Sequence, residues 1–385
     1  MTIRTLQNAK DWDLFHRTLE TIYRNDPKFI APLRKEIEGI FDPAQNVAFS
    51  HGQARCFVLL DQNRPVGRIA AFIDNDRSSK QTHRTGGIGF FECIPDSAAA
   101  KMLFEAAESY LREQQVVLVD GPINFGERDK FWGLLVHHFA PPLYQENYNP
   151  TYYDDLFREN GYNPYEQILT YAGNSRDIPV DRLAQIAQRQ RERHPIRIAP
   201  FEFGAMQQFA QDFAEVYNAA FNVYPHFNPV TPALVESMME TARPILDPNL
   251  ACIAYFDEKP AGFIALYPDI NPLLKGLNGK LNWRTIPRFL WRKSRTKVYN
   301  AKGMGFGIHP AYQSKGVFAL LVEYLCSPRN LERYPRMYLA TIRTHNHEIR
   351  SIYQKLHVEV DRIHVSYRKA LEPGLKIEPF EFITV

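Results

Sequence analysis

Asp61 to Asp74 reads DQNRPVGRIAAFID and Asp257 to Asp269 reads DEKPAGFIALYPD, and this likeness within one chain decides how the rest is read. Each stretch is a polar turn between two strands, then Pro, a small or apolar residue, Gly and an apolar run. Gly67 and Gly262 lie 195 positions apart. Phe157-Arg-Glu-Asn-Gly161-Tyr162 answers to Tyr353-Gln-Lys-Leu-His357-Val358 at an offset of 196, and Ile94-Pro95 to His309-Pro310 at 215. The offset grows and then returns, which places one insertion in the second copy, at 271–297, and a later one in the first, at 124–147. A duplicated domain predicts this pattern.

Working outward, the chain has 385 residues, room for two such copies with a core each. Apolar residues make up 45% and charged residues 23%, the composition of a folded chain rather than a disordered one. Lys and Arg exceed Asp and Glu by only 3, too little for global charge to imply nucleic acid. No apolar run is long enough for a membrane span, and charges at Arg4, Lys10, Asp11, Asp13, Arg17 and Glu20 interrupt any leader core. A cytoplasmic protein without integral membrane contact is the expectation. The four cysteines are too scattered for a disulfide framework or a zinc module.

Periodicity predicts mixed strands and helices in each copy, an α/β chain. In copy one, strands fall near 54–60, 66–73 and 88–93, and Asp96-Ser97 opens a long helix to Glu113. In copy two a hairpin spans 251–267, a strand 298–308, a helix 314–327, a strand 337–342, a helix 347–356 and a strand 360–367. The domains expected are 1–176, a helical linker 177–194, and 195–385.

The chemistry gathers in copy two. After Gly307-Ile308-His309-Pro310 comes Gln313-Ser314-Lys315-Gly316-Val317-Phe318, then an apolar helix. A strand entering a helix through a Gly turn aims backbone N–H groups and the positive helix end at an anion such as pyrophosphate. The hexapeptide resembles the Q/R-x-x-G-x-G/A loop of the GNAT superfamily of acyl-CoA N-acyltransferases. Asn346-His-Glu-Ile-Arg-Ser351-Ile-Tyr353-Gln-Lys-Leu356 is similar to that family's N-x-x-x-x-S/A-x-x-Y-x-K-L-G-F helix. Phe318 and His357-Val358 depart from it. Copy one lacks the signature: its loop positions are Ala98-Ala99-Ala100-Lys101, and Phe157 replaces Tyr353. Tyr23-Arg-Asn-Asp-Pro27, Gly121-Pro122-Ile-Asn124-Phe125 and Asn149-Pro150-Thr-Tyr152-Tyr153 resemble a bacterial family of tandem GNAT-like proteins.

The resemblance implies two tandem GNAT-like domains, each a mixed, mostly antiparallel sheet flanked by helices, the first degenerate. It implies acetyl-CoA or another acyl-CoA as cosubstrate, held by Ile308, Gln313, Ser314, Lys315, Gly316, Val317, Phe318 and Asn346. It implies N-acyl transfer, most simply acetyl transfer, to the amine of a small or amino-acid-like acceptor, with Tyr353 protonating the departing thiolate. The alternative is a noncatalytic acyl-CoA-binding or regulatory module on the same fold. No base can be named from the strand; Asp269 and Glu323 are weak candidates.

Arg128 and Trp132 in the first insertion, and Tyr224 in copy two, are expected at a substrate rim. His345 and His347, or His137 and His138, bring too few ligands for a metal, so none is expected. The second insertion holds Lys275, Lys280, Arg284, Arg288, Arg292, Lys293, Arg295 and Lys297 with no acidic residue between 275 and 297. Leu281, Trp283, Ile286, Phe289, Leu290 and Trp291 are interleaved. Pro287 predicts a short or broken amphipathic element. The phosphates of CoA, an anionic membrane surface, or an RNA or acidic carrier would each fit there, with a lid over the acyl site the favoured reading.

Overall fold

The structure is a computed structural model and describes residues 1–128, 130–222, 227, 229–297, 299–379 and 381–383. Among the described residues fourteen strands form one sheet: β1 (Thr2–Thr5), β2 (Gly52–Asp61), β3 (Arg64–Asp74), β4 (Thr85–Cys93), β5 (Leu118–Gly121), β6 (Leu134–His137), β7 (Asn163–Asn174), β8 (Ile196–Pro200), β9 (Ala251–Phe256), β10 (Lys259–Pro268), β11 (Asn300–Ile308), β12 (Arg336–Tyr338), β13 (Ile342–Arg343) and β14 (Glu359–Ala370). Their main order is β1-β2-β3-β4-β5-β14-β7-β12-β11-β10-β9-β8, with β6 beside β14 and β13 beside β7. Most pairs are antiparallel; β4 with β5 and β11 with β12 are parallel.

The repeat read from the sequence is a repeat of register. Gly67 pairs with Cys93 as Gly262 pairs with Ile308. Both glycines have the same physical reason. A Cβ at Gly67 would lie 2.6 Å from Leu103, and one at Gly262 2.8 Å from Val317. Only a bare backbone lets the helices Ser97–Glu113 and Val317–Leu325 lie that close to their sheets.

The two halves are joined by exchanged strands. β7, at the end of the first copy, pairs with β12 of the second. β14, at the end of the second, pairs with β5 and β6 of the first. β7 and β14 pair with each other along most of their length and form the centre of the sheet. The expected linker helix is Val180–Arg193, and it packs on Val317–Leu325 through the ion pair of Arg191 with Glu323. Glu323 is therefore a structural partner on the helix exterior.

One apolar core, from Phe57 and Leu103 to Leu320 and Tyr353, runs through both halves. The four cysteines are buried and unbridged, and burial pushes the Cys93 and Cys326 thiols up to about 12.

Candidate active site

β11 and β12 pair only from Asn300 to Lys302 against Arg336 to Tyr338 and then part. Between β11 beyond Lys302 and the stretch from Leu339 to Ile342 a wedge opens. At its base a Cβ on Gly303 would strike the Ala340 nitrogen at 2.5 Å; two residues on, Gly305 faces open space. The register of β10 against β11 slips there, between Ala265 and Leu266, leaving Met304 as the extra residue. Gly316 caps the helix beyond β11 in the left-handed conformation, φ +76°. Having no side chain, it covers none of the N–H groups of the first helical turn. Along the wedge runs an aromatic row: Phe318 against Phe306, and Phe306 against Tyr353. Phe318 thus lies on the strand and not across the helix end. Lys315 folds its ammonium over Phe256, 4.7 Å from the ring centre, and the side chain of Gln190 lies against Gly316.

The first copy closes the same two features. Asp96 caps Ser97–Glu113 and its carboxylate accepts from Ala98 N at 2.8 Å and Ala99 N at 3.1 Å. The helix end already holds its anion. Where β4 leaves β5, Ile123 N donates to Ile88 O at 2.8 Å and stitches the wedge shut. Cys93, the counterpart of Ile308, gives its N–H to Tyr153 Oη at 2.8 Å and receives Tyr152 Oη on its carbonyl at 2.8 Å. Glu92, buried beside them, accepts from Tyr23 and Tyr153 and pairs with Arg68.

Tyr353 is 2% exposed, and its hydroxyl donates to Ala340 O at 3.0 Å, on one wall of the wedge. Burial, then the neighbouring Tyr171, raises its pKa, so it stays a proton donor. Asn346 caps the helix His347–Lys355, its side chain accepting from Ile349 N. Gln313 and Ser314 are exposed at the loop, Val317 is buried under it, and Ile308 is half-buried at the end of β11.

Arg128 and Trp132 come to the other end of the wedge. They line a pocket between the two halves with Glu146, Lys302, Thr341, Arg343 and His364, among others. The guanidinium groups of Arg77 and Arg128 both lie over the Trp132 ring, and its indole N–H is buried without an acceptor among the described residues. Tyr224 lies outside the described residues.

Sequence reasoning missed His364, Glu146 and Lys302. Lys302 is buried and donates to Tyr144 O at 2.8 Å. Burial would raise the Glu146 pKa, but the charges of Arg362 and Lys302 outweigh it and hold the carboxyl at about 2. His364 is held below its ordinary value, chiefly by burial, and is neutral at pH 7. Its Nε2 lies 3.1 Å from Asn147 O. A carbonyl can only accept, so Nε2 carries the proton and Nδ1 is the basic nitrogen. Burial also raises Asp269 to about 6, against backbone N–H groups of Asn271 and Tyr144 and the charge of Lys302.

Solved structures match this arrangement end to end. A GCN5-related N-acetyltransferase from Sphaerobacter thermophilus superposes with a TM-score of 0.51, at 11% identity, over 98% of each chain. The chain carries the GNAT fold twice. A tandem GNAT protein from the clavulanic acid biosynthesis pathway gives 0.52 at 12% identity, over 97% of this chain and 99% of its own. In sequence, this double GNAT chain is similar to a bacterial ceramide synthase from Caulobacter vibrioides, 28% identical over 295 residues and 75% of each chain. It is also similar to the protein YghO of Escherichia coli, 24% identical over 378 residues, 96% of this chain and 95% of that one. No protein-family model matches.

Proposed function

We propose that the protein is an acyl-CoA-dependent N-acyltransferase with one working site, in the second GNAT lobe. The observation that carries this reading is the contrast between the two helix ends: Gly316 leaves its N–H groups open, while Asp96 fills the other with a carboxylate. The loop from Gln313 to Phe318 would hold the pyrophosphate of CoA, and the glycines of β11 would let the pantetheine arm lie against the strand. The acyl thioester supplies the activated carbonyl.

The remaining chemistry falls to this chain. An attacking amine must be neutral and must lose a proton as the amide forms. His364 Nδ1 is the group we assign as base, because it is unprotonated at pH 7 and its side chain lines the pocket beside Lys302. Tyr353, hydrogen-bonded to Ala340 on the wall of the wedge, would hold the proton for the departing thiolate. Glu146, anionic and beside Arg362, is a stabiliser of positive charge rather than a base.

For the acceptor we propose a long-chain amine of the sphingoid type, and for the donor a fatty acyl-CoA. The support is the relative named a bacterial ceramide synthase, since a ceramide is the amide of a fatty acid with a sphingoid base. Acetyl transfer to a small amine is the second reading. Thiol release from palmitoyl-CoA and from acetyl-CoA, measured with a sphingoid base and with a short amine, separates the two. Release above background with neither acceptor would leave the noncatalytic binding module.

A further inference from the structure

We infer that the insertion between β10 and β11 is a docking element for an anionic lipid surface. The argument starts from the helix Ile286–Arg295, which Pro287 opens from its first turn. A surface helix ordinarily buries its apolar side chains and turns its charges to water. This one turns apolar side chains to water along with its charges. Phe289 alone packs inward, and Arg292 beside it reaches the carbonyls of Leu273 at 2.9 Å and Lys275 at 2.6 Å. At 100° per residue, Pro287, Leu290, Trp291 and Ser294 then form the opposite face, with Ile286 at its edge. Ile286, Leu290 and Trp291 are 42, 55 and 61% exposed, and Trp283 just before them is 77% exposed. Lys293 flanks this apolar face on one side, Arg288 and Arg295 on the other.

The outward face is held and not loose. The Gly279 carbonyl accepts from Arg34 N in the first lobe at 2.9 Å, and Asn271 donates to Pro142 O at 2.8 Å. Its position also argues against a clamp on the CoA phosphates. Pro268 and Ala301, where the insertion is rooted, pair at one end of β11, while the loop of Gly316 follows Ile308 at the other. At about 3.3 Å per residue, β11 separates the two by roughly 25 Å.

The occupant follows from the chemistry. Eight cations without one acidic residue between 275 and 297 favour an anionic partner. A second copy meeting the same face would set these cations against themselves. Aliphatic Ile286 and Leu290 on the contact face do not suit nucleic acid, whose phosphates reward charge alone. An apolar strip with tryptophans, rimmed by Lys and Arg, is the make-up of a helix lying in the plane of a lipid interface. The cations meet head groups while the strip enters the acyl boundary. The docking stands on the insertion itself and does not depend on acyl transfer.

The test uses the full chain with phosphatidylcholine vesicles, with and without one-third phosphatidylglycerol, at low and high salt. Binding is expected to the anionic vesicles, weakened by salt, with about a fivefold loss of affinity for each of Arg284, Arg288 and Arg295 changed to Ser. Leu290→Ser with Trp291→Ser should abolish binding and leave the melting temperature in place. Brominated lipid should quench tryptophan emission in the wild type and far less in a Trp283→Phe, Trp291→Phe chain, which keeps the apolar face. No binding to anionic vesicles, or binding untouched by these changes, overturns the inference. So does RNA binding by the same face without vesicle binding, or a dimer that Leu290→Ser dissolves.

Discussion

Arg362, on the last strand of the chain, is buried against Glu146 in the insertion of the first lobe, with side-chain exposures of 2% and 6%. The residues lie 216 positions apart, and the pair binds the exchanged strand β14 to the lobe that did not encode it. Removing Arg362 takes from the buried Glu146 its ion-pair partner, while Arg362 without Glu146 keeps Asp361. Arg362→Met should therefore destabilise the chain by about 3–5 kcal/mol in urea unfolding, and Glu146→Gln by somewhat less. The pH sign follows from the carboxyl. Glu146 has its pKa depressed from 4.5 to about 2, so its contribution is complete above about 4.5 and is lost as pH falls toward 2. The gap between wild type and Glu146→Gln should narrow across that window; a constant gap would remove the linkage.

Gly316→Asp should eliminate acyl-CoA binding, because it writes the cap of the first lobe into the second. The left-handed backbone and the Gln190 side chain, 2.3 Å from where a Cβ would stand, add strain, so Gln190→Ala should accompany it. Asp96→Ala should cost about 1 kcal/mol of stability and leave acyl-CoA stoichiometry at one per chain. Calorimetry that finds two equal sites would reject the assignment of a single working lobe.

Tyr353→Phe removes one hydroxyl and its hydrogen bond to Ala340, a loss of about 1 kcal/mol in stability. Turnover should slow while acyl-CoA affinity holds, since only proton delivery to the thiolate is touched. Unchanged turnover would make Tyr353 a packing residue of the aromatic row.

His364→Gln keeps a donor toward Asn147 O but has no basic nitrogen. A fall in kcat of about 10²–10⁴-fold is expected. In the wild type the rate should drop as pH falls through a pKa below the ordinary 6.5, because burial lowers it, and the variant should lose that limb. A variant with the wild-type pH profile would exclude His364 as the base.

Much of this was legible in the residues. Gly67 and Gly262 marked the repeated hairpin, and Asp96 marked the start of the helix it caps; that both glycines pack under a helix and that Asn346 is a cap came from the structure. The strand 360–367 was legible as apolar periodicity, yet its partners were not, and Asn163–Asn174, its neighbour in the sheet, went unread. Arg128 and Trp132 were singled out for their charge and rings in a loop. Their position beside Thr341 and Lys302 needed the two lobes together.

Sequence by itself determined the duplication, the open glycine cap of the second copy and the cationic insertion, because each is a local pattern. Periodicity, capping and turn chemistry act over a few residues and leave their mark there. Tertiary structure alone decided which strand completes which lobe, and so brought His364, Glu146 and Lys302 to one pocket. Backbone hydrogen bonds across a sheet are nearly blind to side-chain identity, so β14 carries no local sign that its neighbours are β5, β6 and β7. The outward turn of Leu290 and Trp291 has the same origin: their spacing defined a face, and only the packing of Phe289 decided that the face looks away from the protein.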